Sequence, residues 1–319
     1  VPSVLVVAPN WIGDALMAQP LLARLRDKEP DLAIDVLAPE WVAPVARRMP
    51  QVRDVVVAPF RHGKLHLAAR WRLGRELKAR GYRHAIVLPN TWKSALVPFF
   101  AAIGLRSGYV GEARYGLLNL LYREAPGTMA EHYARLADAP GFAAGEPLAA
   151  PQLACDAAQI AATQAKFGIA PGYVVLCPGA EYGPAKRWPG FAELATRLAQ
   201  PPVLLGSRND APAAQGVAGR NLVGETTLDE AIDLIAGASA VVSNDSGLMH
   251  VAAALGRPLV ALFGSSSPER TPPQSPAARV LWLRLECSPC YARECPLGHF
   301  RCLREITVDQ VLAEMGPRS

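Results

Sequence analysis

At 319 residues the chain is long enough for two domains or one large one with an ample core, which excludes a small scaffold stapled by disulfides. Half of its residues are apolar, 19% are charged, and 26 Gly with 29 Pro suit short loops between short elements, so disorder and collagen are excluded too. The net charge of +5 is uneven: residues 1–150 hold 19 basic against 13 acidic side chains, and the remainder 14 against 15.

The first strand-like run is Val4 to Ala8, and no charged, apolar and small-residue leader pattern opens the sequence, so a cytoplasmic setting is expected. Pro9-Asn10-Trp11-Ile12-Gly13-Asp14 follows. Pro20 suits the first turn of a helix better than its middle, so Asn10 to Gln19 is expected as an extended loop at the strand's carboxyl end. An Asp after Gly serves commonly as a turn or cap residue, yet at that edge Asp14 is the best placed carboxylate for general-base work. Ile34 to Ala38, Val55 to Val57 and Ala85 to Leu88 read as further strands with helical stretches between them, the alternation of βαβ units on a parallel sheet.

Between Arg61 and Arg83 the cations Arg61, Lys64, Arg70, Arg72, Arg75, Lys78, Arg80 and Arg83 face one acid, Glu76, which makes a local anion-binding field. At helical spacing Leu65, Ala69, Leu73 and Leu77 form an apolar stripe, with Lys64, Trp71, Arg72, Arg75 and Lys78 opposite. A helix beginning near Lys64 is therefore expected, its basic face turned to solvent or to an anionic partner. Trp71 among the cations favours a lipid or sugar-phosphate surface. Nucleic acid is not expected, since no aromatic-rich strand or zinc-finger spacing accompanies the patch. The longest apolar run, Ala95 to Leu105, contains Pro98 and Gly104 and is well short of the roughly 18 to 20 residues of a membrane span.

The pattern weakens over residues 141–151 and restarts with Tyr173 to Cys177, Val203 to Leu205, Ala240 to Ser243 and Leu259 to Phe263. Two Rossmann-like α/β domains are expected, residues 1–150 and 151–307, followed at 308–319 by a short helix of the kind that often crosses back to the first domain. Neither G-x-G-x-x-G, nor G-x-x-x-x-G-K-[ST], nor Asp-x-Asp occurs, so a dinucleotide fingerprint, a P-loop and a metal-holding carboxylate pair are missing. Two segments at strand carboxyl ends offer another way to hold phosphate. Pro178 to Pro189 carries Lys186 and Arg187 on a loop with Gly179 and Gly183; the plain alternative is an exposed basic turn before a helix starting at Pro189. Asn244-Asp245-Ser246-Gly247-Leu248-Met249-His250 would open a helix with free N–H groups, an anion site, or else Asp245 or Ser246 simply caps it. His250, one turn in, is either a site residue or a packing histidine.

Asn10 to Gln19, Leu88 to Phe100, Arg114 to Asn119, Pro178 to Pro189 and Asn244 to Gly256 together resemble the ADP-heptose:lipopolysaccharide heptosyltransferases of glycosyltransferase family 9. The resemblance implies a GT-B architecture, two Rossmann-like parallel-sheet domains facing each other across a cleft, with donor nucleotide on the second and acceptor on the first. It implies an inverting, metal-independent transfer of L-glycero-D-manno-heptose from ADP-heptose to the heptosyl-Kdo2 inner core of lipid A, with no cofactor. Asp14 then takes the proton of the acceptor hydroxyl. Lys186 looks like the phosphate-contacting lysine, Asp245, Ser246, Gly247 and His250 like the donor-site signature, and Asp229 like the acidic residue facing the donor ribose. An Asp beside a pyrophosphate would repel it, so Asp245 is expected to cap its helix or bind a sugar hydroxyl. Arg61, Lys64, Lys93 and Arg114 are expected acceptor contacts, the last two by motif position. The lipid acceptor implies peripheral contact with the inner leaflet. Alternatives are a related transferase using another inner-core acceptor, a nucleotide-sugar epimerase, and a non-catalytic nucleotide-binding protein of the same fold.

Cys287, Cys290, Cys295 and Cys302 give C-x2-C-x4-C-x6-C with His299 between the last two, while Cys155 and Cys177 stand apart. The first pair has zinc spacing, but the four crowd into one short loop without the usual separation of ligand pairs. Structural zinc, an iron–sulfur cluster and free or conditionally oxidised thiols are all open, and no catalytic role is expected.

Overall fold

A computed structural model of the protein describes residues 1–60, 64–142 and 147–316. The chain divides into two compact units, Val1–Ala150 and Pro151–Ser319.

The first unit is built on β1 (Ser3–Val7), β2 (Ala33–Pro39), β3 (Val52–Ala58), β4 (His84–Val87), β5 (Leu105–Tyr109) and β6 (Leu120–Tyr122), in the order β3-β2-β1-β4-β5-β6. The second carries β7 (Val174–Cys177), β8 (Val203–Leu204), β9 (Arg220–Asn221), β10 (Ala240–Asn244), β11 (Leu259–Phe263) and β12 (Ala278–Trp282), in the order β12-β11-β10-β7-β8-β9. All these pairings are parallel. Read from its own first strand, each sheet runs 3-2-1-4-5-6, the doubly wound Rossmann order. The order reverses between β1 and β4 in one unit and between β7 and β10 in the other. Open α/β sheets bind ligands in the crevice at that point, outside the strands' carboxyl ends.

The central strands are buried on both faces, as parallel strands under helices must be. Leu5, Val7, Leu37 and Val87 share one core with Val97 and Leu118, and Leu176, Val242 and Leu262 share another with Trp188 and Phe191. Helix Val308–Met315 is grouped with the second unit, where Val308 and Val311 are buried beside Trp188 and Ile306. Its start is set by a Thr307/Gln310 capping box. Among the described residues no helix is long and apolar enough to cross a membrane.

Two expectations change. Asn10 to Gln19 is not an extended loop: Ile12–Met17 and Gln19–Lys28 are helices, with Pro20 in the first turn of the second. Burial of Ala15, Leu16 and Met17 on the sheet outweighs the break that Pro20 suggests. The basic helix runs Leu67–Lys78, and its inner face is Arg70, Gly74 and Leu77, leaving Leu65 exposed. Gly74 is required there, because a Cβ would lie 2.5 Å from that of Phe100 on the adjacent helix.

Candidate active site

In the first unit the loops after β1 and β4 flank the point where the strand order reverses. Asp14 lies in the first turn of helix Ile12–Met17, where the helix dipole favours negative charge. The Tyr133 hydroxyl, from a buried side chain, donates to Asp14 Oδ1 at 3.4 Å. Trp41 Nε1 donates to Asn10 O at 2.7 Å and steadies the loop leading into that helix.

Beside it, at the carboxyl ends of β1 to β4, is a cavity lined by Asn10, Trp41, Phe60, Lys64, Arg70 and Lys93 among others. The structure thus brings together Lys64 and Lys93, and Asp14 is not among the lining residues. Arg61 lies outside the described residues. Arg70 is buried, with its guanidinium 4.1 Å from the centre of the Phe60 ring and donating to Leu65 O and Lys93 O. Burial pushes its pKa down.

Arg114, expected as an acceptor contact, is buried among protein acceptors. It is 1% exposed and donates to Pro89 O at 2.5 Å, Tyr109 O at 2.6 Å and Asn90 Oδ1 at 3.1 Å. Burial lowers its pKa, against the opposing charge of Glu112, and Glu112 itself accepts from Trp92 N at 2.9 Å. The loop around residues 109–114 is therefore a clamp on the loop bearing Lys93. A motif position cannot distinguish an arginine that holds a binding loop from one that binds.

In the second unit the loops after β7 and β10 meet in the same way. Asn244 closes β10 and ties them together: its side chain accepts from Trp188 N at 3.0 Å and donates to Pro178 O at 2.7 Å. Lys186 Nζ forms an ion pair with Asp245 Oδ2 at 2.5 Å and lies 4.9 Å from the centre of the Tyr182 ring. Asp245 accordingly does not cap the following helix. Ser246 occupies the N-cap of helix Gly247–Ala254, but its side chain makes no capping bond there; its hydroxyl is 3.2 Å from that of Ser243. No side-chain cap bond satisfies the N–H groups at this helix start, and such groups suit an anion. Asp229 lies apart from this pair in the sequence of elements, exposed in the first turn of helix Leu228–Ala236, which a Thr227/Glu230 capping box begins.

Sequence reasoning missed Ser266, whose hydroxyl donates to Asp245 Oδ2 at 2.5 Å. The available signal was the run Ser265-Ser266-Ser267 just past a buried parallel strand. It also missed Tyr133 on Asp14, because no local pattern links residues 119 positions apart.

His250 is 6% exposed, and burial pushes its pKa down to about 4, with Asp245 opposing and Lys186 adding to the shift. His84 is also pushed down to about 4, by burial and then by Arg83. Both rings resist in the fold a proton that the unfolded chain accepts near pH 6.5. Their stabilisation is full above that pH and is lost as pH falls toward 4, by about 1.4 kcal/mol per unit and group. Asp35 is a separate case, since burial would raise it but hydrogen bonds from Arg53 and Tyr82 hold it low, so it matters only at more acid pH. The urea midpoint should fall steadily between pH 7 and pH 4.5. A flat midpoint across that window would show that the rings protonate as easily in the fold as outside it.

The six cysteines are free, and among the described residues no three His, Cys, Asp or Glu side chains are arranged to hold a metal ion. Cys295 Sγ accepts from Phe300 N at 3.4 Å, and this bond lowers its pKa. Burial raises that of Cys302, and charge on Cys287, Cys290 and Cys295 adds to it.

The family model of glycosyltransferase family 9 (heptosyltransferase) matches residues 70–301. The chain is 43% identical to lipopolysaccharide heptosyltransferase 2 of Escherichia coli K12, over 98% of this chain and 97% of that protein. The solved structure of E. coli ADP-heptose lipopolysaccharide heptosyltransferase II superposes with a TM-score of 0.87 at 41% identity, over 98% of this chain and 97% of that one. Similarity to lipopolysaccharide heptosyltransferase 1 of E. coli K12 is lower, 26% identity over 83% of this chain and 88% of that protein. Matched from end to end in sequence and fold, the chain belongs to glycosyltransferase family 9, the heptosyltransferases, and is a glycosyltransferase.

Proposed function

We propose that this glycosyltransferase moves L-glycero-D-manno-heptose from ADP-heptose to the heptosyl-Kdo2 inner core of lipid A, with inversion at the anomeric carbon. The observation that carries the reading is the end-to-end likeness to heptosyltransferase 2, against a much weaker likeness to heptosyltransferase 1. Asp14 takes the proton of the acceptor hydroxyl as its oxygen attacks the anomeric carbon, and the bond to the ADP oxygen breaks on the opposite face. Lys186 and the helix start at Ser246 and Gly247 meet the charge that builds on the departing pyrophosphate. His250, neutral in its buried place, supports that helix start. Asp229 meets the donor ribose.

Lys64 and Lys93, in one cavity with Trp41 and Phe60, suit an anionic sugar such as Kdo: ammonium groups for the carboxylate, aromatic faces for the ring. Arg61 joins them in this reading. Helix Leu67–Lys78 supports peripheral contact with the inner leaflet, since Trp71 and Leu67 are 52% and 50% exposed beside Arg72, Arg75 and Lys78. Apolar side chains among cations suit an anionic lipid surface, and the contact would weaken with salt.

The test is ADP release from ADP-heptose with no acceptor, with Kdo2-lipid A and with heptosyl-Kdo2-lipid A, each with and without EDTA. Release only with the heptosylated acceptor, unaffected by EDTA, is expected. Release with Kdo2-lipid A would make it the first transferase, and release without acceptor would favour an epimerase or hydrolase on the same fold.

A further inference from the structure

Three loops of the second unit converge on one carboxylate oxygen. Asp245 Oδ2 receives Lys186 Nζ from the loop after β7 and the Ser266 hydroxyl from the loop after β11, each at 2.5 Å. Asp245 and Ser266 are 7% and 5% exposed, so these contacts are shielded from water. A lysine ammonium is a compact charge on a flexible four-carbon stem, and it points in one direction only if its partner does. A carboxylate can turn about its own side-chain bonds unless a second donor holds it.

The backbones that carry these groups are tied as well. Ser288 Oγ donates to Gly264 O at 2.6 Å and Tyr291 N to Ser265 O at 2.7 Å, on the two residues before Ser266. The Tyr182 hydroxyl donates to Tyr291 O at 2.5 Å, and Ala185 N, next to Lys186, donates to Arg293 O at 3.0 Å. Gly183 allows this approach, because a Cβ there would lie 2.5 Å from Arg293 O. The segment from Ser288 to Arg293 thus fixes the Ser266 end and the Lys186 end of the relay relative to each other.

We propose that Ser266 is a positioning residue of the donor site: its hydroxyl holds the Asp245 carboxylate, which in turn aims the Lys186 ammonium at the donor pyrophosphate. This rests on the reading of Lys186 as the pyrophosphate contact. Ser266 touches no substrate in this scheme and acts only through Asp245 and Lys186.

The experiment is calorimetric titration of ADP into the wild type, Ser266→Ala, Ser266→Thr, Lys186→Ala and the Lys186→Ala/Ser266→Ala double variant, with donor KM and kcat for each. Loss of one hydrogen bond to a charged group should weaken ADP binding and raise donor KM about five- to tenfold in Ser266→Ala. Ser266→Thr, which keeps the hydroxyl, should return within about twofold of wild type. In the Lys186→Ala background Ser266→Ala should add almost nothing, because the relay has no end group left to aim. Wild-type ADP affinity in Ser266→Ala overturns the proposal, and so does an equal loss in both backgrounds, which would mark Ser266 as mere packing. ADP binding by Lys186→Ala at wild-type strength overturns the Lys186 reading itself, and that outcome is seen without any Ser266 variant. If Ser266→Ala does not fold, Ser266→Cys keeps the volume with a poorer donor, and an ADP affinity between those of wild type and Lys186→Ala is expected; affinity equal to wild type overturns the proposal.

Discussion

Asp14→Asn should lower kcat by about 10²- to 10⁴-fold, the usual range for loss of a positioned general base, while ADP affinity stays within about twofold. The substitution keeps the shape of the side chain and its ability to accept from Tyr133, so the contact at Oδ1 survives. What it removes is the negative charge and the capacity to take a proton. A helix first turn suits that charge, and Ala18 N donates to the Asp14 carbonyl, a backbone bond that the substitution leaves in place. Thermal stability should therefore change little. ADP affinity is the internal control, because the groups read as the donor site lie in the other unit. Turnover within tenfold of wild type would remove Asp14 from the mechanism. A non-catalytic binder of the same fold would be indifferent to the change in every respect.

Much of the scaffold was legible in the sequence, for a physical reason. A strand buried on both faces reads as a continuous β-branched and apolar run, and Val4 to Ala8 or Leu259 to Phe263 needs no neighbour to be recognised. The strands that escaped notice lie toward the sheet edges, where that constraint relaxes. Leu105–Tyr109 carries Arg106 and Gly108, Arg220–Asn221 is exposed and two residues long, and Ala278–Trp282 is only partly buried. The helix Leu67–Lys78 shows another limit. Periodicity found a stripe, but the stripe's phase was set by Arg70, a residue that charge alone would place outside. Phe60 and two backbone carbonyls make burial of that guanidinium tolerable, and two of those partners, Phe60 and Lys93, lie outside the segment that the helical wheel covers.

The candidate sites were legible as residues but not as relationships. Asp14, Lys186 and Asp245 each stood out beside a strand end, yet the sequence offered Asp245 as a helix cap or a sugar contact and Lys186 beside Arg187, not as a pair. Their pairing depends on β7 and β10 lying side by side, although 59 residues separate Lys186 from Asp245. Arg114 shows the same limit from the other side: its motif position was legible, but the burial of its guanidinium among three acceptors is invisible in one dimension.

The Lys186–Asp245 pair leads to the second large effect. Lys186→Ala should lower kcat/KM for ADP-heptose by about 10²- to 10³-fold, the range seen when one stabilising group for developing charge is removed. Part of that loss has a specific origin. Asp245 would keep the Ser266 hydroxyl but lose its cation, and a buried carboxylate without its counterion is costly. On the proposed reading of Lys186 as the pyrophosphate contact, that charge also repels the donor. Neutralising it should therefore recover part of the loss. Lys186→Ala/Asp245→Asn is expected to bind ADP more tightly than Lys186→Ala, by about three- to tenfold at moderate ionic strength, and the gain should shrink as salt screens the repulsion. In the wild-type background Asp245→Asn should do the reverse, since it leaves Lys186 unaimed, and weaken donor binding. An opposite sign for one substitution in two backgrounds is the signature of a coupled pair. If Asp245→Asn weakens ADP binding equally in both, the two side chains act independently, and Asp245 contacts the donor in its own right.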